Sequence, residues 1–105
     1  MAQSSLLLQE YWKVSTESFL FCYRFEEALF DFDKAISLEG SNPVIFSNRG
    51  LVNRKMERFA AAIQDYSNEI NFSQNTNLQA LNNRAYCFAK LGQYNEAIVD
   101  YTKVL

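Results

Sequence analysis

One twelve-residue pattern occurs three times in this chain. FEEALFDFDKAI begins at Phe25, FAAAIQDYSNEI at Phe59 and YNEAIVDYTKVL at Tyr94, at offsets of 34 and then 35 residues. A shorter element travels with it: NRG at 48–50 returns as NRA at 83–85, an offset of 35. A fixed period of this length means a stack of repeated units rather than a single globular plan, because each unit needs its neighbours to bury its apolar face.

Within each copy the apolar residues recur at i, i+3, i+4 and i+7, one face of an α-helix. Phe25, Ala28, Leu29, Phe32, Ala35 and Ile36 form such a face, as do Phe59, Ala62, Ile63, Tyr66 and Ile70, and then Tyr94, Ala97, Ile98, Tyr101 and Leu105. A first helix precedes each of them, over about 9–22, 43–56 and 78–91. Asn42-Pro43 reads as a helix start, since Asn can cap and Pro suits the first turn. Gly92 suits the turn that ends the third such helix. Small residues recur in register: Ala28, Ala62 and Ala97 on the second helices, Gly50 and Ala85 on the first. They are expected where two antiparallel helices cross, because a close approach needs small contact side chains. Each copy is thus a helix pair, and the chain is expected to be an all-α solenoid of antiparallel pairs.

On these residues the chain resembles the tetratricopeptide repeat family, with AYCFAKLGQYNEAIVDY as the stretch nearest its pattern. The resemblance covers 9–105 and implies a right-handed superhelix. It divides the chain into an N-terminal segment 1–8, a repeat 9–42 with a degenerate first helix, a repeat 43–77, and a repeat 78–105 that ends without a capping helix. Three positions depart from the pattern. Thr16 replaces a small residue, Glu57 the turn glycine, and Asn53 stands where the other repeats have Phe19 and Phe88.

Several chemistries find no residues here. The chain has no histidine, which removes Ser-His and Cys-His nucleophile pairs and most zinc sites. The three glycines are isolated, so no phosphate loop is formed. The carboxylates Asp31, Asp65 and Asp100 share one repeat position and read as a solvated face, with Asp31–Lys34 and Asp100–Lys103 as i, i+3 pairs. No enzyme, cofactor or metal site is expected. Lys and Arg are scattered singly at a formal net charge of −2, which argues against nucleic acid. No apolar run approaches a membrane span. The start MAQSSLLLQEYWKV lacks a basic n-region, which argues against a signal peptide. Cys22 and Cys87 sit in apolar helical patterns and read as buried thiols of a reduced, cytoplasmic protein, with nuclear or ciliary locations left open.

What remains is a surface. In a stack of helix pairs the first helices line the concave side. By register, the residues turned into that groove are Lys13 and Glu17, then Val44, Asn48, Leu51, Arg54 and Lys55, then Gln79, Asn82, Asn83, Tyr86 and Lys90. The asparagines offer donors and acceptors to an extended backbone, although Asn48 and Asn83 could equally serve the scaffold. Leu51, Val44 and Tyr86 could seat a side chain, and Arg54, Lys55 and Lys90 make one end basic. Arg49 and Arg84 read as structural, their stems packed on neighbouring helices. Some family members clamp the terminal carboxylate of chaperone peptides, and the matching positions here are Lys13, Glu17, Asn48, Gln79 and Asn83. Glu17 would repel a carboxylate and Gln79 and Asn83 lack charge, so that clamp is not expected. The resemblance implies a non-catalytic scaffold or adaptor binding a protein or extended peptide in its groove. The alternative is a self-assembly segment that stacks through its uncapped C-terminal face.

Overall fold

The computed structural model describes residues 23–74 and 76–105. Among them the chain is helical over 23–38 (α1), Pro43–Lys55 (α2), Phe59–Phe72 (α3), Leu78–Lys90 (α4) and Tyr94–Val104 (α5), with no strand. α2 packs on α3, α3 on α4 and α4 on α5, the order of an α-solenoid of helix pairs. The expected first helix over 9–22, the departure at Thr16, Cys22, and the groove residues Lys13 and Glu17 lie outside the described residues.

The helix ends follow from local chemistry. Asn42 Oδ1 accepts from the Val44 amide at 3.0 Å, with Pro43 at the first helical position. Asn77 Oδ1 accepts from the Ala80 amide at 3.0 Å in the same way. α2 and α4 close alike. The Gly92 amide donates to the Ala89 carbonyl and the Gln93 amide to Phe88, at 3.0 and 2.9 Å; Glu57 and Arg58 donate to Arg54 and Asn53 at 2.9 and 2.8 Å. This double bond pattern needs a left-handed residue at the turn. Gly92 takes it at φ 78°, and Glu57 takes it at φ 61°, so the departure from glycine leaves the turn intact and places strain in it.

The small residues sit where the periodicity put them. Ala62, Ala85 and Ala97 are buried, and Ala28 is half-buried. Gly50 is needed sterically: a Cβ there would lie 2.9 Å from Tyr66 Cε1, and Tyr66 is fully buried with Ala62 and Cys87. Burial pushes the Tyr66 hydroxyl up to about 12 and the Cys87 thiol up to about 11, so Cys87 packs as an unreactive apolar group.

The expected solvated carboxylate face is corrected by the structure. Asp65 and Asp100 are 1% and 2% exposed, and each is held by the arginine 16 residues before it. Arg84 Nε and Nη2 reach Asp100 Oδ2 and Oδ1 at 2.7 and 2.9 Å, while Nη1 donates to Ser67 Oγ of α3 at 3.1 Å. Arg49 donates to Asp65 Oδ1 from Nε and Nη2 at 2.9 and 2.6 Å, and from Nη1 to Asp33 of α1 at 2.9 Å. Burial lowers the Arg49 pKa, but Asp65 and Asp33 outweigh it and hold the guanidinium above its ordinary value. Each arginine therefore ties three successive helices. Asp100 is committed to Arg84 rather than to Lys103. Asn53 Nδ2 gives Asp65 Oδ2 a further bond at 2.8 Å, which a phenylalanine at that position could not supply. Asp31, at the same repeat position, is exposed.

Candidate peptide groove

Two helices carry the nominated surface. On α2 Val44, Asn48, Leu51 and Lys55 follow i, i+4, i+7, i+11 spacing, and on α4 Gln79, Asn83, Tyr86 and Lys90 follow the same spacing, 35 residues on. All but Asn83 are exposed; Asn83 and Arg54 are half-buried, and Asn82 is exposed. The stripes are joined where Arg54 Nη1, at the C-terminal end of α2, donates to Asn83 Oδ1 in the middle of α4 at 3.3 Å. That bond gives Asn83 a scaffold contact. Asn48 stands exposed on α2.

Beyond that bond the groove deepens into a cavity of about 470 Å³ lined by Arg54, Lys55, Glu57, Phe59, Tyr86 and Lys90. Tyr86 is its centre. The Arg54 guanidinium carbon lies 5.6 Å and Lys90 Nζ 5.4 Å from the ring centroid, and Phe59 meets the ring edge-on at 6.3 Å. These are cation–π and edge-to-face distances. The structure thus gathers Arg54, Lys55, Tyr86 and Lys90 around one space, while Val44, Asn48, Leu51, Gln79 and Asn82 lie along the open stripes. The sequence reading missed two members of the cavity wall. Phe59 lies on the apolar face of the second helix, and Glu57 is the turn residue that departs from glycine. Their position at the junction of turn and second helix, beside the basic ends of α2 and α4, was the available signal.

A larger depression of about 720 Å³ lies at the other ends of α2 and α4, lined by Ser41, Pro43, Phe72, Ser73, Gln74, Thr76, Asn77 and Leu78. No charged side chain lines it, and Ser73 and Asn77 in its wall are engaged at helix ends. Asn77 caps α4 and also donates to Glu69 Oε2 at 2.8 Å. Burial raises the Glu69 carboxyl above its ordinary value despite the opposing bonds from Asn77 and Ser47. No three potential metal ligands converge among the described residues, and no described helix is long and apolar enough to cross a membrane.

Comparison with known proteins adds the following. Residues 78–105 match the tetratricopeptide repeat sequence profile. DnaJ homolog subfamily C member 7 is 38% identical in Homo sapiens and 36% in Mus musculus, each over 64 residues. That match takes in 61% of this chain and 13% of those proteins, so the chain spans a small part of their length. Among solved structures, the second TPR of Spaghetti (RPAP3), bound to the HSP90 peptide SRMEEVD, superposes with a TM-score of 0.71 at 24% identity, over 84% of this chain and 81% of that one. The N-terminal domain of stress-induced protein-1 from C. elegans gives 0.66 at 21% identity, over 70% of this chain and 63% of that one. The last repeat thus matches the tetratricopeptide repeat in sequence over 78–105, and the helix pairs share the fold of those solved repeat domains.

Proposed function

We propose that the chain is a non-catalytic recognition module, a scaffold or adaptor that holds an extended segment of a partner protein along the α2 and α4 stripes. The observation that carries this reading is the pair of in-register stripes, with Asn48 and Asn83, Leu51 and Tyr86, and Lys55 and Lys90 at matching positions on two helices. Asparagines spaced along a preformed surface can pair with a peptide backbone, and the neighbouring apolar side chains can seat its alternate residues, with little ordering required of the receptor. The peptide held by the structurally similar RPAP3 repeat supports the class of ligand. The terminal-carboxylate clamp finds no support at Gln79 and Asn83, which are uncharged. The buried, neutral Cys87 is compatible with a reducing intracellular location, which belongs to the same proposal.

The test is affinity capture with the wild-type chain and with Asn48→Ala/Asn83→Ala/Tyr86→Ala, both checked for helicity. Partners retained by the wild type and lost by the variant support the groove. Partners kept by both move the site elsewhere.

A second reading is favoured by one observation. Tyr94, Ile98 and Tyr101 of α5 repeat the positions of Phe59, Ile63 and Tyr66 of α3, yet Tyr94 and Ile98 are 65% and 61% exposed where α3 is covered by α4. Self-association through this stripe predicts a mass that grows with concentration in light scattering, and a constant monomer mass would refute it.

A further inference from the structure

We infer that the cavity at the C-terminal ends of α2 and α4 receives an acidic side chain, Asp or Glu, carried within the bound segment beside an apolar residue; this rests on the groove reading and specifies its chemistry. Three cations, Arg54, Lys55 and Lys90, share the cavity with one carboxylate, Glu57, in a chain whose formal net charge is −2. Positive charge is therefore gathered here against the sign of the whole. Among the described residues no carboxylate pairs with Lys55 or Lys90, and Lys90 Nζ is held over the Tyr86 ring. Arg54 is already positioned, by its bond to Asn83 and its place over Tyr86. The floor is aromatic, Tyr86 braced edge-on by Phe59, and it gives hydrocarbon a contact directly beside the cations.

The surroundings favour a carboxylate over a phosphate. α2 ends at Lys55 and α4 at Lys90, so the negative ends of both helix dipoles lie beside this space. They oppose a concentrated dianion, which is better served by helix N-termini. A singly charged side chain meets less of that opposition and gains from the cations. A free C-terminal carboxylate is not required, because the groove positions where the family holds one carry no cation on α4 (Gln79 and Asn83).

The test is selection of a phage-displayed library of random 12-residue peptides, fused through their C-termini so that no terminal carboxylate is offered. It is run against the wild-type chain and against Lys55→Glu/Lys90→Glu. The wild type should enrich Asp or Glu adjacent to a large apolar residue. A synthetic, C-terminally amidated version of a selected peptide should bind the variant roughly tenfold more weakly, the expected scale for reversing two exposed charges. Its affinity for the wild type should fall as salt is raised. Lys55→Arg/Lys90→Arg keeps the charge and should keep binding, which separates electrostatics from misfolding. Enriched peptides without acidic bias, or an affinity that survives charge reversal, overturn the pocket and leave the groove reading standing. A tenfold gain on replacing the acid by phosphoserine reassigns the site to phosphate and overturns the carboxylate proposal. A selection that enriches nothing overturns the groove reading, and the pocket with it.

Discussion

Replacing Arg84 by methionine should be among the most damaging single changes available to this fold. Asp100 is 2% exposed, and both its oxygens are bound by Arg84, at 2.7 and 2.9 Å. Methionine fills much of the arginine stem's volume and removes the charge, so Asp100 is left buried without its counterion. Breaking one side of a buried pair costs about 3–5 kcal/mol. The Arg84 side chain is 19% exposed, so water can reach part of the gap and the lower end of that range applies. Loss of the bond to Ser67, near 3.1 Å, adds about 1 kcal/mol. The double variant Arg84→Met/Asp100→Leu removes both charges, and apolar replacements of such pairs are often close to neutral. It should therefore recover most of the loss, leaving a coupling of about 2 kcal/mol or more between the two sites. Urea unfolding followed by far-UV circular dichroism measures this, with the midpoints of wild type, both singles and the double compared at a constant slope. A repeat array can unfold in parts, so a changed slope marks a comparison that is not two-state. An Arg84→Met loss below about 1 kcal/mol, or two single losses that simply add, would show that Asp100 does not depend on Arg84.

Three further changes test other parts of the argument. Glu57→Gly relieves a left-handed residue, worth about 1 kcal/mol before the added freedom of glycine in the unfolded chain is subtracted, so a gain of about 0.5 kcal/mol is expected in thermal melts; Gly92→Ala, at φ 78°, should lose about 1 kcal/mol, and a destabilised Glu57→Gly would refute the assignment of strain. Gly50→Ala improves helix propensity by about 1 kcal/mol but sets a Cβ 2.9 Å from the buried Tyr66 ring, an overpacking of about 1–3 kcal/mol, so denaturant titration should show a net loss. Glu69 has a raised carboxyl in the folded chain, so its contribution is full at pH below the ordinary carboxylate value and is lost as pH rises through the folded value; Glu69→Gln should be the more stable of the two at pH 7, and its advantage should vanish near pH 4.

The parts of this fold that could be read in advance are those where inward-facing means apolar or small. Ala62, Ala85 and Ala97 could be placed at helix crossings because a 3.6-residue period and a 35-residue offset leave few alternatives. The same assumption failed at Asp65 and Asp100, where a carboxylate points inward because an arginine on the preceding antiparallel helix neutralises it. A pairing signal was present, since Arg49 and Arg84 each precede a recurring aspartate by 16 residues, whereas Asp31 has Ser15 at that offset and is exposed. Burial of a charge is a property of two positions, and a pattern read along one helix face reports only one of them.

The candidate groove divides in the same way. The stripes on α2 and α4 follow from register alone, but the cavity at their ends needs the turn, and the turn is set by packing. Glu57 shows this most directly. The residue lacks glycine's freedom, yet it adopts φ 61° and makes the same closing bond as Gly92, so the fold imposes the conformation on an unsuited side chain. Such strain persists only where the surroundings over-determine it. A glycine would relax the turn, but it would also remove a carboxylate from the wall that holds Arg54, Lys55 and Lys90. If those cations receive an acidic side chain, Glu57→Gly should strengthen the binding of the selected peptide while stabilising the chain. Glu57→Gln retains the backbone strain and removes only the charge. It should match the gain in binding without the gain in stability, and a binding gain confined to the glycine variant would assign the effect to the turn rather than to the charge.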